Sequence, residues 1–258
     1  SLRRRQRQMC IRDSRRASWE DSMLHVQNMV LDNCLSTIKH ETIYYPNKIK
    51  QIIGRLNTHS LSGEEEKECV ETISELIEYY KGIFRILSSC ASRQLEEVTF
   101  RRATIPVTDI MAYAGKYFKR ISRGVDYKIT LTIEPLEAKV IGDINQLRFL
   151  IENLIDEALS FHQDGELVLK AIMDGEYVRF LFTDRRREKQ VEELNQLFYP
   201  NLARMTSGEK GELRGTEYLI CKQIIRDHDE FAGRRGCRIN AEPAQGGGFT
   251  VYFTVPKR

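Results

Sequence analysis

The stretch Ser36-Thr37-Ile38-Lys39-His40-Glu41-Thr42-Ile43-Tyr44-Tyr45-Pro46 lies inside a long segment whose apolar residues recur in steps of four and three. This heptad line is broken by only two polar residues and comprises Leu24, Asn28, Leu31, Leu35, Ile38, Thr42, Tyr45, Ile49, Ile52 and Leu56. At about 100° per residue, His40 points roughly 200° away from Ile38 and from that line. The pattern predicts a helix that buries one stripe and presents His40 and Glu41 elsewhere, with a bend at Pro46.

A second amphipathic helix is predicted after a polar break at residues 57–63. Ser62 followed three residues later by Glu65 is a capping box, and the apolar residues of the next segment again show heptad spacing to about Arg93. We expect the first helix to begin between residues 5 and 20 and to end near Asn57. Two such helices cannot enclose their own apolar faces, so the sequence predicts a homodimer through residues 19–93 that forms a four-helix bundle.

Composition and charge leave several function classes open. The chain has 258 residues, of which 41% are hydrophobic, and a net charge of +3. Residues 1–16 contain seven arginines and one aspartate, a net of +6, so the remainder carries −3. Such a basic end is typical of a nucleic-acid arm or of a segment beside a membrane, and we favour the second. Because the chain starts with Ser-Leu, we expect it to be part of a longer protein. No stretch is long and apolar enough to cross a bilayer.

The second half of the chain has the pattern of an α/β domain. Alternating strands joined at Asp174-Gly175 and a last hairpin turned at residues 246–248 are the strongest signals. Helices are predicted at 108–123, 144–161 and 216–228, and strands at 98–106, 127–133, 139–143, 166–173, 177–183, 237–243 and 249–255. Asp143 is the predicted N-cap of the second of these helices. Helices on one side of a mixed sheet would form an α/β sandwich.

Both halves together resemble a sensor histidine kinase. The His-Glu box with its proline is similar to the family's phosphoacceptor site, although the proline comes one residue later than the commonest spacing. The stretches Val140–Leu147, Glu152–Phe161 and Gly248–Pro256 resemble motifs of the ATP-binding domain shared by histidine kinases, gyrases and Hsp90-type chaperones. The resemblance implies an α+β fold with domains at residues 1–18 (basic linker), 19–97 (dimerisation and phosphotransfer hairpin) and 98–258 (ATP-binding-like sandwich).

The family's nucleotide motifs are degenerate in this sequence. The resemblance implies that Asn153 and Glu157 would bind Mg²⁺ and ATP, with Glu157 standing where the family has asparagine. Asp184 would contact adenine, but the two glycines that normally follow are Arg186 and Glu188, whose side chains should crowd the pocket. Of three phosphate-loop glycines only Gly215 remains. The basic run Arg185–Arg187 could grip phosphate or form a solvated turn, and we favour the solvated turn.

Two functions follow as expectations. In the first, the chain is the cytoplasmic kinase core of a probable inner-membrane sensor: it transfers the γ-phosphoryl group of ATP to His40, assisted by Glu41, and then to a response-regulator receiver. In the second, it is a non-catalytic member that dimerises, relays a signal from an upstream membrane or sensor segment, and binds or dephosphorylates a receiver without ATP turnover. A nucleic-acid partner rests only on residues 1–16 and is not expected.

Overall fold

The structure is a computed structural model that describes residues 2–57, 62–91, 100–201, 206–207 and 213–258. Within these ranges, side chains are described except at 2–15, 35, 37–45, 78–91, 206–207 and 213–214. The chain divides into two compact units. Residues 1–27, 96–199 and 217–258 form the first unit, and residues 28–95 and 200–216 form the second.

The second unit contains the predicted helical hairpin. Helix α1 (Leu2–Leu56) begins upstream of the predicted start and continues through Pro46, while α2 (Gly63–Ala91) follows the predicted break. The two helices pack through the residues that the heptad pattern places on their inner lines, namely Ile49, Ile52, Leu56, Cys69, Ile73 and Leu76. The predicted capping box is present, since the Ser62 N–H donates to Glu65 Oε2 at 2.8 Å. Two short strands, β6 (Thr206–Ser207) and β7 (Leu213–Arg214), pair in this unit.

The first unit is the predicted α/β sandwich. Its helices are α3 (Val107–Ile121), α4 (Ile144–Leu159), α5 (Val191–Gln196) and α6 (Glu217–Phe231). Its strands are β1 (Ala103–Pro106), β2 (Ile129–Glu134), β3 (Lys139–Gly142), β4 (Gly165–Asp174), β5 (Tyr177–Asp184), β8 (Ile239–Pro243) and β9 (Phe249–Pro256). A 3₁₀ turn, Ser122–Gly124, follows α3. Among the predicted strands, residues 98–99 lie outside the described part.

Five strands form the main sheet in the order β2-β4-β5-β9-β8, in which only β2 and β4 run parallel. Strands β1 and β3 form a separate antiparallel pair. Every second side chain of β5 is buried, as the predicted alternation requires. Phe180 of β5 stacks on Phe253 of β9 with ring centroids 4.9 Å apart, and both belong to the core between sheet and helices. Helix α4 packs over this core, and its C-terminal end lies beside the C-terminal end of β5.

No described helix is long and apolar enough to span a membrane.

Candidate functional site

Helix α4 is fixed at its start by the predicted cap. Asp143 Oδ1 accepts hydrogen bonds from the N–H groups of Asn145 at 2.8 Å and Gln146 at 3.3 Å, which satisfies two of the unpaired donors of the first turn. The N–H of Asp143 in turn donates to Nε2 of the buried His228 at 3.1 Å. The helix that carries Asn153 and Glu157 is therefore anchored to α6 as well as to the sheet.

Asp184, the last residue of β5, is bound by Arg186 and Arg187 from the turn that follows the strand. Its side chain is only 1% exposed. Arg186 donates from Nε to Oδ1 at 2.9 Å and from Nη2 to Oδ2 at 2.8 Å, which is a bidentate ion pair. Arg187 Nε donates to the same Oδ2 at 2.9 Å. Both oxygens of the carboxylate that the resemblance assigns to adenine recognition are thus occupied from within the chain.

The Arg186 side chain is itself almost completely buried, with 1% exposed. Its remaining N–H groups donate to backbone carbonyls at the end of α4 and in the following turn: Ala158 at 2.6 Å, Phe161 at 3.2 Å and Gln163 at 3.1 Å. A buried guanidinium needs such a complete set of acceptors, because an unpaired one would cost several kcal/mol, about 3 or more. Arg186 therefore ties the end of β5 to the end of α4.

Arg187 connects the two predicted nucleotide ligands. Besides Asp184, it donates from Nη1 to Glu157 Oε1 at 3.1 Å, and its side chain is 11% exposed. Its guanidinium lies 5.2 Å from the ring centroids of both Phe161 and Phe249. Burial lowers the pKa of Arg187, but Tyr218, Asp184 and Glu157 outweigh that effect, so the pKa is raised and the residue stays charged.

These contacts correct the predicted state of the basic run. A solvated turn was favoured and a phosphate grip was the alternative, but Arg186 and Arg187 are buried on carboxylates of the chain itself. Only Arg185 is substantially exposed, and it lies 3.6 Å from Glu166. The expected crowding by Arg186 is present. The sequence feature that could have predicted these ion pairs is the presence of two acidic residues, Glu157 and Asp184, on elements that the fold places side by side.

Two glycines from other parts of the chain, Gly165 and Gly248, pack against the segment that holds Asp184 and Arg186. Gly165 has a φ of 144°, and a Cβ there would lie 2.5 Å from Cγ of Arg186. Gly248 has a φ of 81°, and a Cβ there would lie 2.0 Å from the carbonyl oxygen of Asp184. The backbone therefore approaches closely around the arginine pair, at positions that only glycine accepts.

Asn153 lies on the same helix and is buried, but its amide nitrogen donates to the carbonyl of Phe149, one turn earlier in α4, at 2.7 Å. The predicted metal pair, Asn153 and Glu157, does not fit Mg²⁺ as arranged, because a guanidinium already binds Glu157 and would repel the dication. The described residues contain no group of three His, Cys, Asp or Glu side chains that could hold a metal ion.

The other predicted site residues are placed as follows. His40 and Glu41 lie in α1, with side chains outside the described set. Gly215 belongs to the second unit and has a φ of 78°, in the left-handed region that favours glycine. Of the residues predicted for nucleotide binding, the structure brings together Glu157 and Asp184 through Arg187.

Comparisons with known proteins identify the class of the domain. Residues 142–258 match the family described as histidine kinase-, DNA gyrase B-, and HSP90-like ATPase. Residues 142–258 are therefore similar to the ATPase domain of histidine kinases, DNA gyrase B and HSP90, which supports the predicted resemblance for this part of the chain. None of the curated proteins matches the chain.

Solved structures of histidine kinases are similar to this chain at low identity. A complex of histidine kinase ThkA with response regulator protein TrrA is 17% identical, with a TM-score of 0.50, and the match covers 93% of this chain and 65% of that one. A mycobacterial sensor histidine kinase, MprB, is 19% identical over 61% of this chain and 99% of that chain, with a TM-score of 0.45. Histidine kinase AdeS of Acinetobacter baumannii is 14% identical over 84% of this chain and 97% of that chain, with a TM-score of 0.45.

Proposed function

We propose that this chain is a signalling protein of the histidine kinase class that does not turn over ATP. It would dimerise through residues 19–93, relay a signal from an upstream membrane or sensor segment on the cytoplasmic side, and bind or dephosphorylate the receiver domain of a response regulator. The observation that carries this proposal is Arg187, which bridges Asp184 and Glu157.

The bridge opposes nucleotide binding in two ways. Asp184 has no free lone pair directed at an adenine amino group, since Arg186 and Arg187 donate three side-chain hydrogen bonds to it and the Arg186 N–H donates a fourth at 3.0 Å. Releasing Arg186 would leave the buried Asp184 with only one of its two arginines and would separate a buried ion pair, at a cost of about 3 kcal/mol. A nucleotide would have to offset that cost before any net affinity appeared.

The receiver function rests on the parts of the sequence that remain intact. His40 and Glu41 keep the order of a phosphoacceptor box, and the hairpin that carries them packs as its heptad lines predict. The ThkA structure contains a histidine kinase bound to a response regulator, which supports a receiver as the class of partner. An imidazole with an adjacent carboxylate can accept a phosphoryl group or position water against an aspartyl phosphate.

Dimerisation rests on an apolar face of the hairpin that no described residue covers. Ile53 of α1 and Val70 and Ile77 of α2 are 45%, 54% and 45% exposed. Apolar side chains at helical spacing on both helices are typical of a bundle interface. A second copy of the hairpin would cover them.

One experiment separates this proposal from an active kinase. The purified protein is incubated with γ-labelled ATP and Mg²⁺, and nucleotide binding is measured in parallel by titration calorimetry. We expect no acid-labile label and no binding heat from the Asp184 site. Label that is lost in His40→Gln would overturn the proposal and establish ATP-dependent autophosphorylation.

A variant tests whether the arginines are the cause. The triple variant Arg186→Gly, Arg187→Ala, Glu188→Gly removes both arginines that bind Asp184. It also places glycine at the two positions where the family motif has it. If the arginines exclude nucleotide, this variant gains measurable ATP binding, whereas the matched control Arg185→Ala stays without it. Receiver activity is read separately, as loss of aspartyl phosphate from phosphorylated receiver domains; we expect His40→Gln to reduce that rate.

A further inference from the structure

A cavity lies in the first unit, and none of the residues of the Asp184 site lines it. It has a volume of about 750 Å³, within the range of small-molecule sites. It is formed by the first part of α1, the segment before β1, one face of α3 and the start of α4. Its lining is Arg16, Ser18, Trp19, Arg101, Tyr113, Arg120, Asp143, Ile144, Asn145, Arg148 and Glu152.

The cavity has an excess of positive charge. Four arginines against two carboxylates give a net formal charge of +2. The carboxylates already have donors: Asp143 caps α4 and accepts from the Arg101 N–H at 2.8 Å, and Glu152 accepts from the Tyr113 hydroxyl. Among the described residues, the guanidinium groups of Arg101, Arg120 and Arg148 form no ion pair like those of Arg186 and Arg187, although Arg120 and Arg148 lie near enough to Glu152 to oppose the rise in its pKa that burial causes.

Arg148 is the best-placed of these groups. Its guanidinium lies 4.9 Å from the centre of the Tyr113 ring, which holds its plane, and its Nε is buried without a hydrogen-bond acceptor among the described residues. Arg120 is held in the same way, 4.9 Å from the centre of the Tyr117 ring. Guanidinium groups stacked on aromatic rings in this way are suited to binding a phosphate, which accepts several N–H groups at once.

The wall of the cavity opposite α3 is aromatic. Trp19 packs edge-on against Phe149, with ring centroids 6.1 Å apart, and is half-buried. Ser18 next to it accepts a hydrogen bond from Asn145 Nδ2 at 3.1 Å, so α1 is joined to α4 at this point. A planar ring of a ligand would find an indole surface in the same cavity as the arginines.

We propose that this cavity binds a small phosphate-bearing molecule with a planar ring, of the nucleoside monophosphate class. Arg120 and Arg148 bind the phosphate, and the ring lies against Trp19. Because α1 continues from Trp19 into the hairpin that carries His40, occupancy of the cavity is coupled to the helix that would carry the signal. The site is independent of the proposed function at Asp184 and stands or falls separately.

The test uses Trp19 as the reporter, because it is the single tryptophan of the sequence. The whole chain is titrated with AMP, ribose 5-phosphate and adenosine, without Mg²⁺, while tryptophan fluorescence is recorded. We expect AMP to change the emission with the highest affinity, ribose 5-phosphate to bind more weakly and adenosine not to bind. Equal affinity for AMP and ribose 5-phosphate overturns the position of the ring, and no response to any of the three overturns the site.

Variants locate the response. Arg148→Gln and Arg120→Gln should each weaken AMP binding by about tenfold or more, as expected for loss of a charged hydrogen bond. Arg123→Gln, an arginine of the 3₁₀ turn outside the cavity, should leave it unchanged. If Arg148→Gln and Arg120→Gln bind AMP as tightly as the wild type does, AMP binds elsewhere and the inference is wrong. Circular dichroism of each variant confirms that it is folded.

Discussion

At the scale of single residues, Arg186 and Asp184 form an almost completely buried ion pair. Each side chain is 1% exposed, and two hydrogen bonds join the guanidinium to the carboxylate. Arg186 donates to both oxygens of Asp184, and Arg187 donates to one of them as well. The carboxylate therefore anchors the turn that follows β5.

The first prediction concerns this ion pair. Arg186→Met should lower the free energy of unfolding by about 3 kcal/mol, because it leaves a buried carboxylate with one of its two arginines. Urea unfolding measures the change. Asp184→Asn combined with Arg186→Met should recover at least half of the loss, since no unpaired charge remains.

Arg185→Met is the matched control for that measurement. Arg185 is 42% exposed and its ion pair with Glu166 spans 3.6 Å, so the loss should stay under about 1 kcal/mol. If Arg185→Met and Arg186→Met were equally destabilising, burial of the Asp184 pair would not explain its effect.

The second prediction concerns His228, which is buried and accepts the N–H of Asp143 while donating from Nδ1 to the Ile224 carbonyl. Burial lowers its pKa from 6.5 to about 4. Between these values the unfolded chain binds more protons than the folded one, so stability falls as the pH falls from 6.5 towards 4. The full loss from this group is about 3 kcal/mol.

Urea unfolding at a series of pH values checks this dependence. His228→Gln keeps an acceptor for Asp143 but cannot titrate, so the slope between pH 4 and 6.5 should become shallower. His162→Gln, at an exposed histidine, serves as the control and should keep the slope of the wild type. An unchanged slope in His228→Gln would assign the pH dependence to other groups.

At the scale of elements, the hairpin is stabilised by the N-terminal cap of α2 and by the apolar contacts between α1 and α2. Ser62 and Glu65 bond reciprocally, since the Glu65 N–H also donates to Ser62 Oγ at 3.4 Å. The backbone hydrogen bond from Ser62 and its hydroxyl hold the pKa of Glu65 below its ordinary value. The ionised Glu65 therefore contributes fully to the stability of the folded chain at a pH above the ordinary pKa of glutamate. This contribution to stability is lost as the pH falls through the lowered pKa.

Removing this cap gives the third prediction. Ser62→Ala should destabilise the start of α2 by about 1 kcal/mol and lower the midpoint of thermal unfolding followed by far-ultraviolet circular dichroism. Ser74→Ala changes a mid-helix serine that bonds back to the Val70 carbonyl, and it should have little effect. A larger loss at Ser74 would show that α2 does not depend on its cap.

At the scale of the whole molecule, the two units use different sources of stability. The sandwich has a continuous core between five strands and three helices, whereas the hairpin leaves Ile53, Val70 and Ile77 exposed. A partner for these side chains is the simplest way to bury them, and the proposed dimer supplies it.

The fourth prediction is therefore made on the intact chain. Ile53→Glu with Ile77→Glu should convert a dimer into a monomer in light scattering coupled to size exclusion, because charge cannot be buried in an apolar interface. The control Glu71→Gln changes an exposed residue of α2, the helix that carries Ile77, and this variant should remain dimeric. A wild-type chain that is monomeric at micromolar concentration would contradict the proposed dimer.

The sequence by itself determined those features that depend on local periodicity and local hydrogen bonding. The heptad lines predicted the pairing of α1 with α2, Ser62 and Asp143 predicted two helix starts, and alternation with glycine turns predicted the strands and hairpins of the sandwich. These properties repeat within a few residues, so neighbouring positions are sufficient to define them.

Only the tertiary structure decided the state of the candidate site. Arg187 meets Glu157 across thirty positions of the chain, and the cavity joins Trp19 to Arg148 across more than a hundred. Whether an arginine is solvated, binds a ligand or neutralises a buried carboxylate depends on what the packed elements bring within about 3 Å of it. No local pattern contains that distance, which is why the basic turn was interpreted wrongly and the aromatic, arginine-lined cavity was not predicted.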